Sequence, residues 1–317
     1  MFLMTTFRRF IGFLITGSLL FFLIKPFVQT HTDLKKVAFQ WQWIAISLSV
    51  LLFYRSVYTY PFAALISSIT GKQISFRDAF TLFHLSNITR YLPGRIWGVV
   101  RLFSLSHRFG LSKTAVGSSL TLHVGIETAL GGLIAMSLLF SDGMRQTATG
   151  VLETFSGDTL PWVLAVMVGL AGFVFLIPKL AHHAKAFLKT LMPLLKTSRL
   201  WGTVLASHSL LWLCQGLAFF LFLRSLAPVR WADAGVLTAS YAFAWIVGFL
   251  SFLPPGGLGI REGLLGVLLA HYMPAKEAIL VALLCRLWML SAEMVLASIA
   301  FLINRRCDER HSSPQNH

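Results

Sequence analysis

Ser251-Phe252-Leu253-Pro254-Pro255-Gly256-Gly257-Leu258-Gly259-Ile260-Arg261-Glu262-Gly263 lies inside a long apolar region, where a membrane helix should run unbroken. Two prolines remove two backbone donors, and the four glycines between 256 and 263 weaken any helix that tries to form. An arginine and a glutamate follow directly. In hydrocarbon, broken backbone is tolerated only where it is buried in protein or lines a wet cavity. A charge at that depth is costly and usually functional. The stretch reads as one that the rest of the chain holds inside a membrane.

Composition agrees. Of 317 residues, 56% are hydrophobic and 12% charged, about half the charge of a soluble domain, and the mean hydropathy is +0.72. Several apolar runs of roughly twenty residues define an all-α polytopic membrane protein. The net charge of +15 fits positive-inside topology and contact with anionic headgroups. Nucleic acid is not an expected partner, because the basic residues are spread over loops and no soluble module gathers them. Cys214 and Cys285 lie in apolar runs and Cys307 in the basic tail, with neither disulfide nor metal spacing. No metal and no cofactor is expected. Arg8 and Arg9 precede the run Phe10–Ile24, but Lys25-Pro26-Phe27 stands where a signal-peptide cleavage site would be. We read a retained first span.

Outward from the opening stretch, spans are expected at about 10–27, 41–60, 115–140, 160–178, 202–223 and 277–303. Two regions are irregular. One is 234–272, around the opening stretch. The other is 78–110, which reads as two short helices meeting at Pro93-Gly94. Charge bias orients them. The basic loop 179–200 and the tail with Arg305, Arg306 and Arg310 should be cytoplasmic, and the acidic loop 141–158 external. Region 234–272 must then begin and end outside, and 78–113 must begin and end inside. Both termini become cytoplasmic; Lys35 and Lys36 in the first external loop are the exceptions. The expectation is about six full spans plus two re-entrant hairpins in an inverted repeat, with eight spans as the alternative. A single membrane domain covers 1–304 (repeats about 8–140 and 160–303), and 305–317 is a short basic tail.

The hairpins also match in residues. Leu92-Pro93-Gly94, then Gly98 and Arg101, stands against Leu253-Pro254-Pro255-Gly256, then Gly259 and Arg261. The spacing from proline to arginine is unequal, eight steps in the first and six in the second. Each hairpin is followed by a span with an embedded acid, Glu127 or Glu293. Inverted repeats with Gly/Pro-broken segments in corresponding positions point to a transporter whose site lies at the repeat interface.

Tyr91-Leu92-Pro93-Gly94-Arg95-Ile96-Trp97-Gly98 and Leu253 to Gly263 resemble the two signature stretches of the lysylphosphatidylglycerol synthase transmembrane family, also described as flippase-like. The resemblance covers about 10–303. In the synthases this membrane part precedes a soluble aminoacyl-transferase domain and is taken to move the modified lipid between leaflets. That soluble domain is absent from the 317 residues, so the resemblance implies the flippase-like half rather than an enzyme. It also implies a bacterial cytoplasmic (inner) membrane and a separately encoded lipid-modifying enzyme as partner.

Arginine suits phosphate, because its planar fork donates paired bonds and stays charged. Arg101 and Arg261 follow the two breaks. His123 and Glu127 share a face of one span, as do Arg286 and Glu293. The expected substrate-binding set is Arg101, Arg261, Glu262, Glu127, Arg286, Glu293 and His123. The hairpin tips are Pro93, Gly94 and Gly98, with Pro254, Pro255, Gly256, Gly257 and Gly259. The ligands would be anionic or phosphate-bearing membrane lipids. Blander roles stand beside these: Arg261–Glu262 as a structural clamp, His123 as an interhelical hydrogen bonder, and His208, Gln215 and Asn87 as polar glue. Two other functions remain open, an intramembrane enzyme acting on a lipid phosphate and a non-transporting subunit of a lipid-modifying complex. No nucleophile elbow or metal motif supports the enzyme. The oligomeric state is left open.

Overall fold

The computed structural model describes residues 39–91, 97–140, 197–250 and 259–312; side chains of 90, 91 and 306–312 are excluded. The expected spans at 10–27 and 160–178, the loop 141–158 and most of 179–200 lie outside the described residues. So do the tips Pro93, Gly94, Pro254, Pro255, Gly256 and Gly257.

Among the described residues, the regular structure is helical: α1 (Trp41–Val57), α2 (Thr59–Thr70), α3 (Phe76–Asn87), α4 (Trp97–Ser106), α5 (Lys113–Met136), α6 (Ser198–Arg224), α7 (Ala234–Leu250), α8 (Ile260–Leu269) and α9 (Ala275–Ser312). Four helical stretches there are long and apolar enough to cross a membrane: Lys113–Phe140, Ser198–Arg224, Trp231–Leu250 and Ala275–Arg305.

The span expected at 41–60 needs correction. Tyr58, the residue between α1 and α2, has helical dihedrals (φ −56, ψ −23). Pro61 has no N–H to donate back to Val57, so one helical bond is lost and the helix resumes. It stops at Gly71, whose φ of +66 turns the chain. Residues 41–70 thus form one broken rod of about 45 Å. Arg77 falls in the first turn of α3.

Both irregular regions fold as contacting helix pairs, α3 with α4 and α7 with α8. Ser75 and Ser112 start α3 and α5, each accepting a bond from the backbone N–H three residues on, at 3.1 Å. Helices in lipid are held by close packing and interhelical hydrogen bonds rather than by hydrophobic exclusion. α1 packs antiparallel to α6: Gln40 N–H donates to Ser225 O at 3.0 Å, and Ser47 Oγ to Ala218 O at 2.7 Å. Phe219–Phe222 are buried in the bundle, which makes them packing residues rather than lipid-facing ones. α5 lies along α7, and α9 along α3; α4 touches α5, and α8 packs on α9. Exchanging α1–α2 with α6, α3 with α7, α4 with α8 and α5 with α9 returns the same set of main helix pairings.

Candidate functional site

α8 begins at Gly259, whose φ of +87 is a conformation that only glycine adopts without strain. Its N–H donates to Glu262 Oε2 at 2.8 Å, so Glu262 caps its own helix. The other oxygen, Oε1, lies 3.8 Å from Arg286 Nε on α9. Arg261 is 8% exposed and pressed against α7 at Gly248, where a Cβ would come within 2.8 Å of the arginine's own Cβ. Arg261 Nη2 donates to Tyr241 Oη at 2.6 Å, and that hydroxyl donates onward to Met289 Sδ at 3.4 Å. Among the described residues, no carboxylate stands within ion-pair distance of Arg261.

α1 supplies a third buried arginine. Arg55 Nη2 lies 3.2 Å from Glu293 Oε1, with the two side chains 10% and 2% exposed. One turn along, Tyr58 donates its hydroxyl to Glu127 on α5. Trp212 on α6 donates Nε1–H to the Glu127 carbonyl at 3.0 Å.

These groups surround a cavity of about 420 Å³, a volume typical of small-ligand sites. Arg55, Arg261, Arg286 and Glu127 line it, while Glu262 and Glu293 are not on its wall. The cations face the cavity and two of the three acids stand behind them. Aromatic rings complete the wall, among them Tyr54, Trp212, Tyr241 and Trp245. Gln215 also lines it; this residue is 3% exposed and its Nε2 has no hydrogen-bond partner. A buried donor left unmade is costly, and a ligand acceptor would relieve it. Tyr54, Arg55, Tyr58, Glu127, Trp212, Gln215 and Arg286 all lie within four residues, about 6 Å, of the midpoint of their long helix. The cavity is therefore near mid-depth of the bundle.

Arg261, Glu127 and Arg286 meet at this cavity, with Glu262 and Glu293 as their backing charges. Two further expected residues are also absent from its wall. Arg101 is exposed: Gly98, Val99 and Leu102 form the cavity face of α4, and at 100° per residue Arg101 points about 100° away from its centre. His123 is fully buried among the rings of Tyr58, Phe62 and Phe83. Its Nδ1 lies 3.0 Å from His208 Nε2, an interhelical bond between α5 and α6. Of the tip glycines, Gly98 lines the cavity and Gly259 caps α8. Sequence reasoning missed Arg55, Tyr54, Tyr58, Tyr241 and Trp212, and placed Gln215 and Asn87 as glue although both line the cavity. Arg55 carried a signal: a lone arginine in an apolar run.

Long apolar helices enclose a cationic, aromatic cavity at mid-depth of the bundle and define an integral membrane domain. The chain belongs to the family described as the lysylphosphatidylglycerol synthase TM region, whose model matches residues 9–297. The family ties this membrane domain to lipid handling. No curated protein and no solved structure gives a significant match.

Proposed function

We propose that the chain is a flippase-like transporter that carries a lipid or lipid-linked substrate between leaflets, its polar headgroup held in the 420 Å³ cavity. It binds rather than transforms that substrate. The observation that carries the reading is Arg261: a buried guanidinium on the cavity wall, bonded to a phenol oxygen and to no carboxylate among the described residues. Such a cation calls for an anion, and a headgroup phosphate supplies one with matching geometry. Crossing roughly 30 Å of hydrocarbon requires a polar station midway, and the cavity sits at that depth. The exchange symmetry of the helix pairings is what two inverted repeats would produce. In this reading the protein sits in a bacterial cytoplasmic membrane with both termini inside.

The test is reconstitution into vesicles carrying a trace of phospholipid labelled on its headgroup, with a membrane-impermeant quencher added outside. Transport exposes the inner-leaflet pool faster than in protein-free vesicles, and Arg261→Gln slows it at least tenfold. A set of anionic phospholipids and polyprenyl phosphates that all cross no faster than in empty vesicles would rule the proposal out. Covalent product from labelled lipid would instead favour an enzyme.

A further inference from the structure

A second cavity, of about 490 Å³, opens at one end of the bundle and shares no lining residue with the first. Its wall is assembled from three places far apart in sequence. Lys72 comes from the turn between α2 and α3, and Arg77 and Asp78 from the first turn of α3. Arg108 comes from the turn between α4 and α5, and Ile303 and Asn304 from the far end of α9. The seams are polar. Arg77 Nη2 donates to Ile303 O at 3.3 Å, and Arg108 Nη1 to Asn304 Oδ1 at 3.5 Å. Lys72 Nζ reaches over Gly110, 3.5 Å from where a Cβ would sit.

Three cations and one acid therefore converge on one opening, and all three cations are exposed. Nothing in the mid-depth site uses them. They stand where α2 ends, α5 is about to begin and the apolar run of α9 stops, which is headgroup level for helices that span the bilayer. The three cations outnumber the one acid on this wall, which makes the opening attractive to an anion. Basic pockets between helix ends are suited to anionic headgroups.

We propose that this end pocket binds the phosphate of an anionic membrane phospholipid through Lys72, Arg77 and Arg108. The lipid joins the hairpin α3–α4 to the end of α9 and holds that seam closed. The proposal is independent of transport: a protein that moved no lipid would bind this one equally well.

The experiment uses purified full-length protein in a neutral detergent. Thermal unfolding is followed while short-chain phosphatidylglycerol, phosphatidylcholine of the same chain length, or inorganic phosphate is added. Phosphatidylglycerol should raise the unfolding temperature and the other two should not. Lys72→Gln, Arg77→Gln and Arg108→Gln should each weaken the apparent affinity about fivefold, and the triple variant about a hundredfold. Because all three side chains are exposed, the variants should keep the wild-type gel-filtration profile, and each single variant is read separately. In an Arg261→Gln background, the triple change should still weaken the phosphatidylglycerol-induced shift. An equal shift with phosphatidylcholine, no shift with phosphatidylglycerol, or a shift lost in Arg261→Gln but kept in the triple variant would overturn the proposal. A shift reproduced by inorganic phosphate would replace the lipid by free phosphate as occupant.

Discussion

Removing Glu293 should take from Arg55 a buried carboxylate at 3.2 Å in the middle of the bundle. At 3.2 Å and an effective dielectric near 20, the Coulomb attraction is roughly 5 kcal/mol. Most of that offsets the desolvation of two buried ions, so the intact pair adds little net stability. Breaking it is asymmetric. Glu293→Met loses the attraction and keeps the desolvation of Arg55, whose Nη2 still has Met289 Sδ at 3.8 Å as a weak acceptor. The expected cost is about 3–5 kcal/mol. Arg55→Met together with Glu293→Met removes both charges and should return to within about 1 kcal/mol of wild type. The double variant also relieves repulsion among the three cavity arginines. Denaturant unfolding of the four proteins in one detergent gives the coupling energy directly. If Glu293→Met costs less than about 1 kcal/mol, or if adding Arg55→Met brings no rescue, the pair is not the buried contact described here.

Three further outcomes are expected. Gly248→Ala places a methyl within 2.8 Å of Arg261 Cβ; overpacking of about 1–3 kcal/mol and a displaced guanidinium should lower both unfolding stability and transport, and wild-type values for both would contradict the packing. Tyr58→Phe deletes the hydroxyl that Glu127 accepts and should cost about 1.5–3 kcal/mol in the same unfolding assay, whereas a neutral result would mean the carboxylate is held by other groups. His123→Phe leaves His208 Nε2 without its partner and should lower stability by about 1–2 kcal/mol without moving the pH profile of transport; a shifted profile would assign the histidines a proton-carrying role.

Helices α7 and α8 flank the opening stretch and contact each other, and embedded charges found most of the cavity's ionic groups. Those signals are strong because hydrocarbon penalises broken backbone and charge so heavily. Two features were not legible. A span expected to end at about residue 60 puts Tyr54 and Tyr58 near its end. In a helix that continues to Thr70 they fall at its centre, beside Arg55. One missing hydrogen bond is affordable where neighbouring helices hold both flanks, and pattern reading has no access to those flanks. Arg101 was matched to Arg261 by analogy. The unequal spacing, eight steps against six, already corresponds to a rotation of roughly 200° around a helix, and Arg101 turns out of the cavity. His123 was correctly placed on the face of Glu127, but the ring packing around it depends on Phe62, Phe83 and His208, which come from three other helices.

The Arg55 contact with α9 also bears on how the protein is made. Arg55 and its neighbour Met289 are separated by 234 residues. At roughly 5–20 residues per second, synthesis reaches α9 on the order of ten to fifty seconds after α1 has left the ribosome. For that interval the arginine must be shielded by the insertion machinery, by lipid phosphates or by water drawn into the bilayer. Release of the nascent chain into lipid before α9 arrives would strand a charge in hydrocarbon. Arg55 thereby ties membrane insertion of α1 to completion of α9.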